Sequence, residues 1–201
     1  MGDAARLRAA LEQYRPAALM HFSAYAYVGE SVEKPLLYYR NNFAATASLL
    51  HTLTEYGCIP VVFSSSCAVY GKPERLPIPE EHPQRPINPY GHSKLFVERM
   101  LADLGTASGL SWMALRYFNA AGADPDGEIG ELHDPETHLV PLVLAAARNG
   151  VPVHIFGDDY GSGLVHLEMN LGFTGKTSSS IGTVAGWNRI HKEPPCITHG
   201  L

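Results

Sequence analysis

Cysteine and basic charge are both scarce in this 201-residue chain. The three cysteines, Cys58, Cys67 and Cys196, are widely separated and form no Cys-x-x-Cys pair. A disulfide scaffold or a zinc ribbon needs paired cysteines, so the sequence supports neither and fits a reducing compartment. The net charge is −5, and no run of Lys and Arg exceeds two residues. These features argue against a nucleic-acid-binding protein.

Long apolar segments are absent as well. The longest clean apolar run extends from Leu142 to Ala147, far short of the roughly 20 residues that a membrane-spanning helix needs. The first residues mix Asp3, Arg6 and Arg8 with alanines and contain no core of a signal peptide. We therefore expect a cytoplasmic protein with no membrane partner.

The composition that remains is that of a globular protein, with 45% hydrophobic and 17% charged residues. Short apolar runs alternate with helical patterns, and Pro35 and Pro135 suit the first turns of helices. This alternation is typical of an α/β fold with a doubly wound parallel sheet. The pattern predicts strands over residues 17–23, 59–66, 111–118 and 151–156, and helices over 3–14, 35–56, 89–107 and 135–148.

Small or hydrogen-bonding residues follow three of the predicted strands. Ser23 and Ala24 follow the first strand, Ser64–Ser66 end the second, and Tyr117–Asn119 follow the third. In open α/β sheets, ligands bind beyond the carboxyl ends of the strands. The three strand ends therefore indicate one binding crevice, although turns favour similar residues wherever a strand ends.

The sharpest chemical pattern is Tyr90-Gly-His-Ser-Lys94, directly after Pro89. Residues four apart lie on the same face of a helix. A phenol, with a pKa of about 10, is a weak base at neutral pH, and a nearby ammonium favours the tyrosinate. Ser66 ends the preceding strand, where its hydroxyl can hold a substrate oxygen. The three residues are predicted to be a general base, its tuner and an orienting group, although the Tyr-x-x-x-Lys spacing alone also arises by chance.

Several longer segments accompany this pattern: His21–Val32, Tyr38–Asn42, Ser64–Gly71, Pro89–Leu95, Leu115–Ala123, Pro135–Pro141 and Ile155–Tyr160. With them, the chain resembles the extended short-chain dehydrogenase/reductase superfamily and, within it, the UDP-glucose 4-epimerase (UDP-galactose 4-epimerase) family. The resemblance covers residues 2–160.

The resemblance implies an isomerase of galactose metabolism that interconverts UDP-glucose and UDP-galactose through a 4-keto intermediate, with NAD transferring the hydride. It implies that Tyr90 removes the proton of the sugar 4-hydroxyl, that Lys94 bonds the nicotinamide ribose and that Ser66 bonds the 4-oxygen. The further cofactor contacts that it implies are Asp3, Phe22, Ser23, Ala24, Ala26, Asn41 and Tyr117. The further substrate contacts that it implies are Asn119, His138, Leu139, His154 and Phe156.

Some of these residues also have an ordinary structural explanation. Phe22 and Leu139 could belong to a core, Asn41 could cap a backbone group, and His138 could be a solvated helix residue. The ten histidines include no His-Glu-x-x-His or comparable spacing, so no metal site is predicted. The segment Gly175-Lys-Thr177 is similar to the end of a phosphate-binding P-loop, but that motif needs a glycine where this chain has Asn170.

Positions 67 and 68 bear on the type of reaction. The related sugar-nucleotide 4,6-dehydratases carry an Asp-Glu pair just after the hydroxyl residue, whereas this chain has Cys67 and Ala68. Neither side chain is suited to moving a proton at a sugar carbon, so the sequence favours epimerisation over dehydration. The sequence does not exclude epimerases that act on other UDP-sugars, such as UDP-xylose or N-acetylated hexosamines.

Compared with the family pattern, we expect the chain to be incomplete at both ends. The family begins with a strand and a Gly-rich turn that holds the pyrophosphate, and it ends with a UDP-clamping segment and a substrate lobe. We expect residues 1–160 to form a partial NAD-binding domain, residues 161–201 to form a poorly ordered tail, and activity to be impaired. The alternative is a non-catalytic remnant or interaction fragment. A homodimer is expected through helices near residues 35–56 and 89–107.

Overall fold

The chain divides into two units. The computed structural model describes residues 3–118, 124–130, 133, 134, 136, 138–152 and 183–185. The first unit contains Met1–Phe118 together with Gly182–Leu201, and the second contains Asn119–Ile181.

Most of the described elements belong to the first unit. Its helices are α1 (Ala4–Tyr14), α2 (Val28–Glu33), α3 (Pro35–Tyr38), α4 (Ala45–Tyr56) and α5 (Pro89–Ser108), with a π-helix at Tyr39–Ala44 and a 3-10 helix at Cys67–Val69. Its strands are β1 (Leu19–His21), β2 (Val61–Ser66), β3 (Trp112–Tyr117) and β4 (Thr183–Ala185). The second unit contributes α6 (Leu139–Asn149).

The strands form one sheet in the order β1-β2-β3-β4. The first three strands are parallel, with Leu19 opposite Val61 and Val61 opposite Trp112. The predicted α/β class with a parallel sheet is therefore confirmed. β4 was not predicted, and it pairs antiparallel with β3 at the far edge of the sheet.

The core forms where α1, α4 and α5 pack on one face of this sheet. Along β2, the side chains of Val61, Phe63 and Ser65 are buried and alternate with partly exposed neighbours, as the two-residue period of a strand requires. Burying one large apolar side chain stabilises a fold by about 1.5–3 kcal/mol, so these residues hold the helices on the sheet. The buried core residues are Leu11, Leu49, Leu50, Leu53, Val61, Phe63, Val97, Leu101, Leu110 and Ala114.

The ends of α5 follow from its sequence. The Asn88 side chain accepts a hydrogen bond from the Gly91 N–H at 2.8 Å, and Pro89 occupies the first turn, where no N–H is needed. Gly109 ends the helix in the left-handed conformation, with φ of 71°. This capping fixes Tyr90 and Lys94 in the first two turns of the helix.

The structure corrects several predicted boundaries. The helix predicted over residues 35–56 is interrupted by the π-helix, and α2 was not predicted at all. The helix predicted to begin at Pro135 begins at Leu139, because His138 has an extended backbone with ψ of 139°. Val151 and Pro152, the start of the predicted fourth strand, are not in a strand, and residues 153–156 lie outside the described residues. Within the described ranges, no helix is long and apolar enough to cross a membrane.

Candidate active site

Ser66 and Tyr90 meet at the carboxyl end of β2. Ser66 ends the strand, and its hydroxyl accepts a hydrogen bond from the Ala68 N–H at 3.2 Å, which starts the following 3-10 helix. Tyr90 lies in the first turn of α5, close enough to Ser66 for hydrogen bonding by the Ser66 side chain to act on the Tyr90 pKa. The two residues are 24 positions apart in sequence, so only the crossover between β2 and α5 brings them together.

A close backbone approach makes this contact possible. Gly91, next to Tyr90, lies against the loop that follows β2, and a Cβ atom at this position would be 2.5 Å from the Ala68 carbonyl oxygen. Any side chain here would push the first turn of α5 away from that loop. The glycine therefore sets how near Tyr90 comes to Ser66.

Lys94 lies one turn further along α5 and is only 3% exposed. Its ammonium donates to the Ser64 carbonyl oxygen at 2.7 Å and lies 5.0 Å from the centre of the Phe63 ring and 5.7 Å from that of the Tyr90 ring. Burial lowers the pKa of Lys94 to about 8. Among the residues that the structure describes, Lys94 pairs with no carboxylate, so two of its N–H donors are available to a ligand.

The electrostatics of Tyr90 differ from the expectation. The sequence predicted that the Lys94 ammonium lowers the Tyr90 pKa. In the structure the Tyr90 pKa is raised, mainly because the phenol is buried, and the hydrogen bond from Ser66 opposes that rise. Desolvation disfavours the tyrosinate more than the Ser66 hydrogen bond favours it.

The loop after β1 carries four of the predicted cofactor contacts. Phe22 is 57% exposed, so it does not belong to the core. Ser23 and Ala26 are also exposed, and Ala24 is half-buried. The side chains of Ser23, Ala24 and Ala26 are small, which lets a flat dinucleotide approach the backbone closely.

Asn42, which the sequence analysis missed, holds this loop in place. Its Oδ1 accepts a hydrogen bond from the Tyr25 N–H, and its Nδ2 donates to the Tyr25 carbonyl oxygen, both at 2.9 Å. Nδ2 also lies 3.2 Å from the Ser93 hydroxyl oxygen on α5. Asn41, the predicted cofactor contact, donates to Asn42 Oδ1 at 3.1 Å. Adjacent asparagines inside a predicted helix were the signal, since such residues disfavour helix interiors.

Two further predicted contacts lie in the first unit. Tyr117 ends β3 and pairs in register with Ser66, so it lies at the same carboxyl end of the parallel strands. Burial raises its pKa. Asp3 caps α1 by accepting a hydrogen bond from the Arg6 N–H at 3.0 Å, which is a structural role.

Comparison with known proteins places this geometry in a family. The sequence profile of the "NAD dependent epimerase/dehydratase family" matches residues 1–163. The chain belongs to this family. It is 52% identical over 147 residues to UDP-glucose 4-epimerase of Streptococcus mutans serotype c, covering 72% of this chain and 44% of that protein. It is 50% identical over 161 residues to UDP-glucose 4-epimerase of Rhizobium leguminosarum bv. trifolii, covering 79% of this chain and 49% of that protein.

A solved structure agrees with this assignment to the epimerase/dehydratase family. The crystal structure of UDP-glucose 4-epimerase from Brucella ovis in complex with NAD superposes with a TM-score of 0.74 at 57% identity, over 79% of this chain and 49% of that one. The family predicted from the sequence is confirmed. The chain spans about half the length of the relatives that it matches.

Two of the predicted substrate contacts lie in the second unit. His138 precedes α6, and its N–H donates to Glu136 Oε1 at 2.7 Å. Leu139 is the first residue of α6. The imidazoles of His133 and His138 and the Glu136 carboxylate have ligand atoms within 4.8 Å of one another, a set that suits a metal ion. Asn119, His154 and Phe156 lie outside the described residues.

Proposed function

We propose that this chain carries the catalytic centre of a UDP-sugar 4-epimerase that uses NAD. The observation that carries the proposal is the placement of Ser66 at the end of β2 beside Tyr90 in the first turn of α5, with the Lys94 ammonium 5.7 Å from the centre of the Tyr90 ring. The names of the relatives supply UDP-glucose as the expected substrate, and the resemblance described above implies UDP-galactose as its 4-epimer.

The first unit fits a dinucleotide at the carboxyl end of its parallel strands. A buried cation is costly unless it is paired, and the two remaining N–H donors of Lys94 suit the hydroxyls of a nicotinamide ribose. The small side chains of Ser23, Ala24 and Ala26 in the loop after β1 suit the flat face of the cofactor. When bound, NAD supplies the redox chemistry at carbon 4 of the sugar.

In this mechanism the protein moves one proton. Because burial raises the Tyr90 pKa, the phenol is the main form and the step uses its minor phenolate form. The phenolate accepts the proton of the sugar 4-hydroxyl as the 4-keto sugar forms, and Tyr90 returns that proton to the same oxygen afterwards. The Ser66 hydroxyl donates a hydrogen bond to that oxygen and fixes its distance from Tyr90. Lys94 supports the phenolate through its positive charge.

The same proposal includes the residues that contact the UDP-sugar and NAD. Asn119, His138, Leu139, His154 and Phe156 are proposed to contact the UDP-sugar, and Asp3, Phe22, Asn41 and Tyr117 to contact NAD. Cys67 beside Ser66 favours epimerisation over dehydration, because burial raises its pKa and its neutral thiol is a poor base.

An aromatic cluster suits a homodimer. Phe96 on α5 is 39% exposed and packs against Tyr39 at 6.1 Å, Phe43 at 5.7 Å and His92 at 6.1 Å between ring centres. These residues lie on the helices predicted to pair with a second copy. In sedimentation equilibrium, Phe96→Glu is expected to be monomeric where the wild type is dimeric, and the exposed Tyr14→Glu control to match the wild type.

Titration of the purified 201-residue chain with NAD, followed by an assay with UDP-galactose, tests the catalytic proposal. We expect NAD binding and slow turnover that Tyr90→Phe abolishes. Tyr14→Phe, at a residue that is 73% exposed, is the matched control and should keep the wild-type rate. The second candidate is a non-catalytic remnant or interaction fragment of an NAD-dependent epimerase/dehydratase. A folded chain that binds no NAD supports that candidate and contradicts the first.

A further inference from the structure

A buried polar network joins three elements next to the candidate site. Glu98 on α5 and Arg116 on β3 form an ion pair in which Nη2 is 2.5 Å from Oε2 and Nε is 3.0 Å from Oε1. The Ser65 hydroxyl on β2 donates to Glu98 Oε1, and Arg116 Nη1 donates to the Tyr70 hydroxyl at 2.9 Å. All four residues are at most 4% exposed.

Each strand or helix in the network also carries a candidate site residue nearby. Ser65 directly precedes Ser66, and Arg116 directly precedes Tyr117. Glu98 lies four residues beyond Lys94, which places both on the same face of α5. The network therefore fixes α5 against β2 and β3 at the point where the Ser66–Tyr90 contact has to form.

Stability alone does not explain an ion pair in this place. Removing two charges from water is costly, and apolar residues of similar size often stabilise a fold as well or better. A paired guanidinium and carboxylate also fix the relative position of the two elements that carry them, because their hydrogen bonds constrain both distance and angle. Burial acts to lower the pKa of Arg116, but the hydrogen bonds and charge of Glu98 outweigh it and raise that pKa, so the guanidinium stays charged.

We propose that Glu98 and Arg116 are positioning residues that set the position of α5 along β2 and β3 and thereby hold the Tyr90 phenol against the Ser66 hydroxyl. The expected effect on kcat rests on the proposed function. The contact between Ser66 and Tyr90 does not rest on that function, and the Tyr90 pKa reports on this contact without turnover.

The decisive variant removes both charges together, as Glu98→Leu with Arg116→Met. Because neither charge is left unpaired in the interior, the double variant should still fold, with a melting temperature lowered mainly because the Ser65 and Tyr70 hydroxyls lose their partners. The matched control removes the exposed pair Arg8 and Glu55, as Arg8→Met with Glu55→Gln. Three quantities are measured: the melting temperature, the kcat and KM for UDP-galactose, and the Tyr90 pKa by NMR of 13C-ring-labelled tyrosine, assigned with Tyr90→Phe.

For the double variant we expect a higher Tyr90 pKa, since the Ser66 hydrogen bond that lowers it is weakened. We also expect kcat to fall about tenfold or more with KM little changed, as small misplacements of reacting groups cause. The surface control should match the wild type in all three quantities. A folded double variant with the wild-type Tyr90 pKa and kcat overturns the proposal.

Two further outcomes are also decisive. If the double variant does not fold, Ser65→Ala removes only the β2 contact to Glu98, and an unchanged Tyr90 pKa in that variant overturns the proposal while a raised one supports it. If the wild type has no turnover, the proposed function fails, whereas a raised Tyr90 pKa in the folded double variant still supports positioning.

Discussion

Asn42 holds Tyr25 at both of its backbone polar groups, with each hydrogen bond 2.9 Å long. The same amide reaches Ser93 on α5, and the Ser93 hydroxyl donates to the Tyr90 carbonyl oxygen at 2.7 Å. One buried side chain thus joins the loop after β1 to the helix turn that carries Tyr90. A polar side chain in this position substitutes for backbone pairing that a loop cannot make.

Replacing Asn42 should therefore loosen the loop and weaken cofactor binding together. We expect Asn42→Ala to lower the free energy of unfolding by about 2 kcal/mol, because it leaves buried partners without hydrogen bonds. Asn42→Asp keeps the acceptor for the Tyr25 N–H but loses both donated bonds, so its effect should be nearly as large. Denaturant unfolding and NAD titration measure the two effects. Ser48→Ala, at an exposed position of α4, should stay within about 0.5 kcal/mol of the wild type; an equal loss there would refute a specific role for Asn42.

Gly91 should not tolerate a methyl group. In Gly91→Ala the new Cβ would lie 2.5 Å from the Ala68 carbonyl oxygen and 2.9 Å from Pro86 Cβ. We expect a loss of about 1–3 kcal/mol from overpacking and a weaker Ser66–Tyr90 hydrogen bond. Gly29→Ala is the matched control, because nothing lies within 4 Å of a Cβ at that position. Thermal unfolding of the two variants compares them directly, and equal melting temperatures would contradict the close approach at Gly91.

Lys94 should make stability depend on pH above neutrality. Its pKa falls from 10.5 to about 8 in the folded chain, so between these values the unfolded chain binds more protons. Stability then increases as the pH rises, by about 2 kcal/mol from pH 8 to pH 10. Above pH 10 the raised pKa values of Tyr38 and Tyr90 act in the opposite direction. Denaturant unfolding at pH 8, 9 and 10 should reveal the increase in the wild type and not in Lys94→Met; parallel curves for the two proteins would disprove it.

His21 should limit stability in acid. Burial and the nearby Lys94 charge lower its pKa from 6.5 to about 4, and its Nε2 lies 2.8 Å from the Thr46 hydroxyl oxygen. Because the unfolded imidazole takes up a proton below pH 6.5 and the folded one does not, stability is lost as the pH falls toward 4. The loss from pH 7 to pH 4.5 is about 2 kcal/mol. Urea unfolding should find a smaller loss in His21→Gln, whereas the exposed His51→Gln control keeps the wild-type slope.

The local patterns of the sequence determined the fold class and the candidate catalytic residues. Nearly continuous apolar runs between helices favour a parallel sheet, and three parallel strands are present in the structure. The face shared by Tyr90 and Lys94 follows from the helical period alone, and Pro89 fixes where that helix begins. These features depend on neighbours within one or two turns of chain, and such neighbours are visible in a sequence.

The tertiary structure alone decided how these groups act. The π-helix that turns Asn42 toward Tyr25, and the pairing of Glu98 with Arg116, join residues 17 and 18 positions apart through packing. The pKa of Tyr90 was predicted in the wrong direction, because the helical period gives its distance from Lys94 but not its burial. Desolvation depends on every element that packs around a group, so charge spacing along the chain cannot supply it.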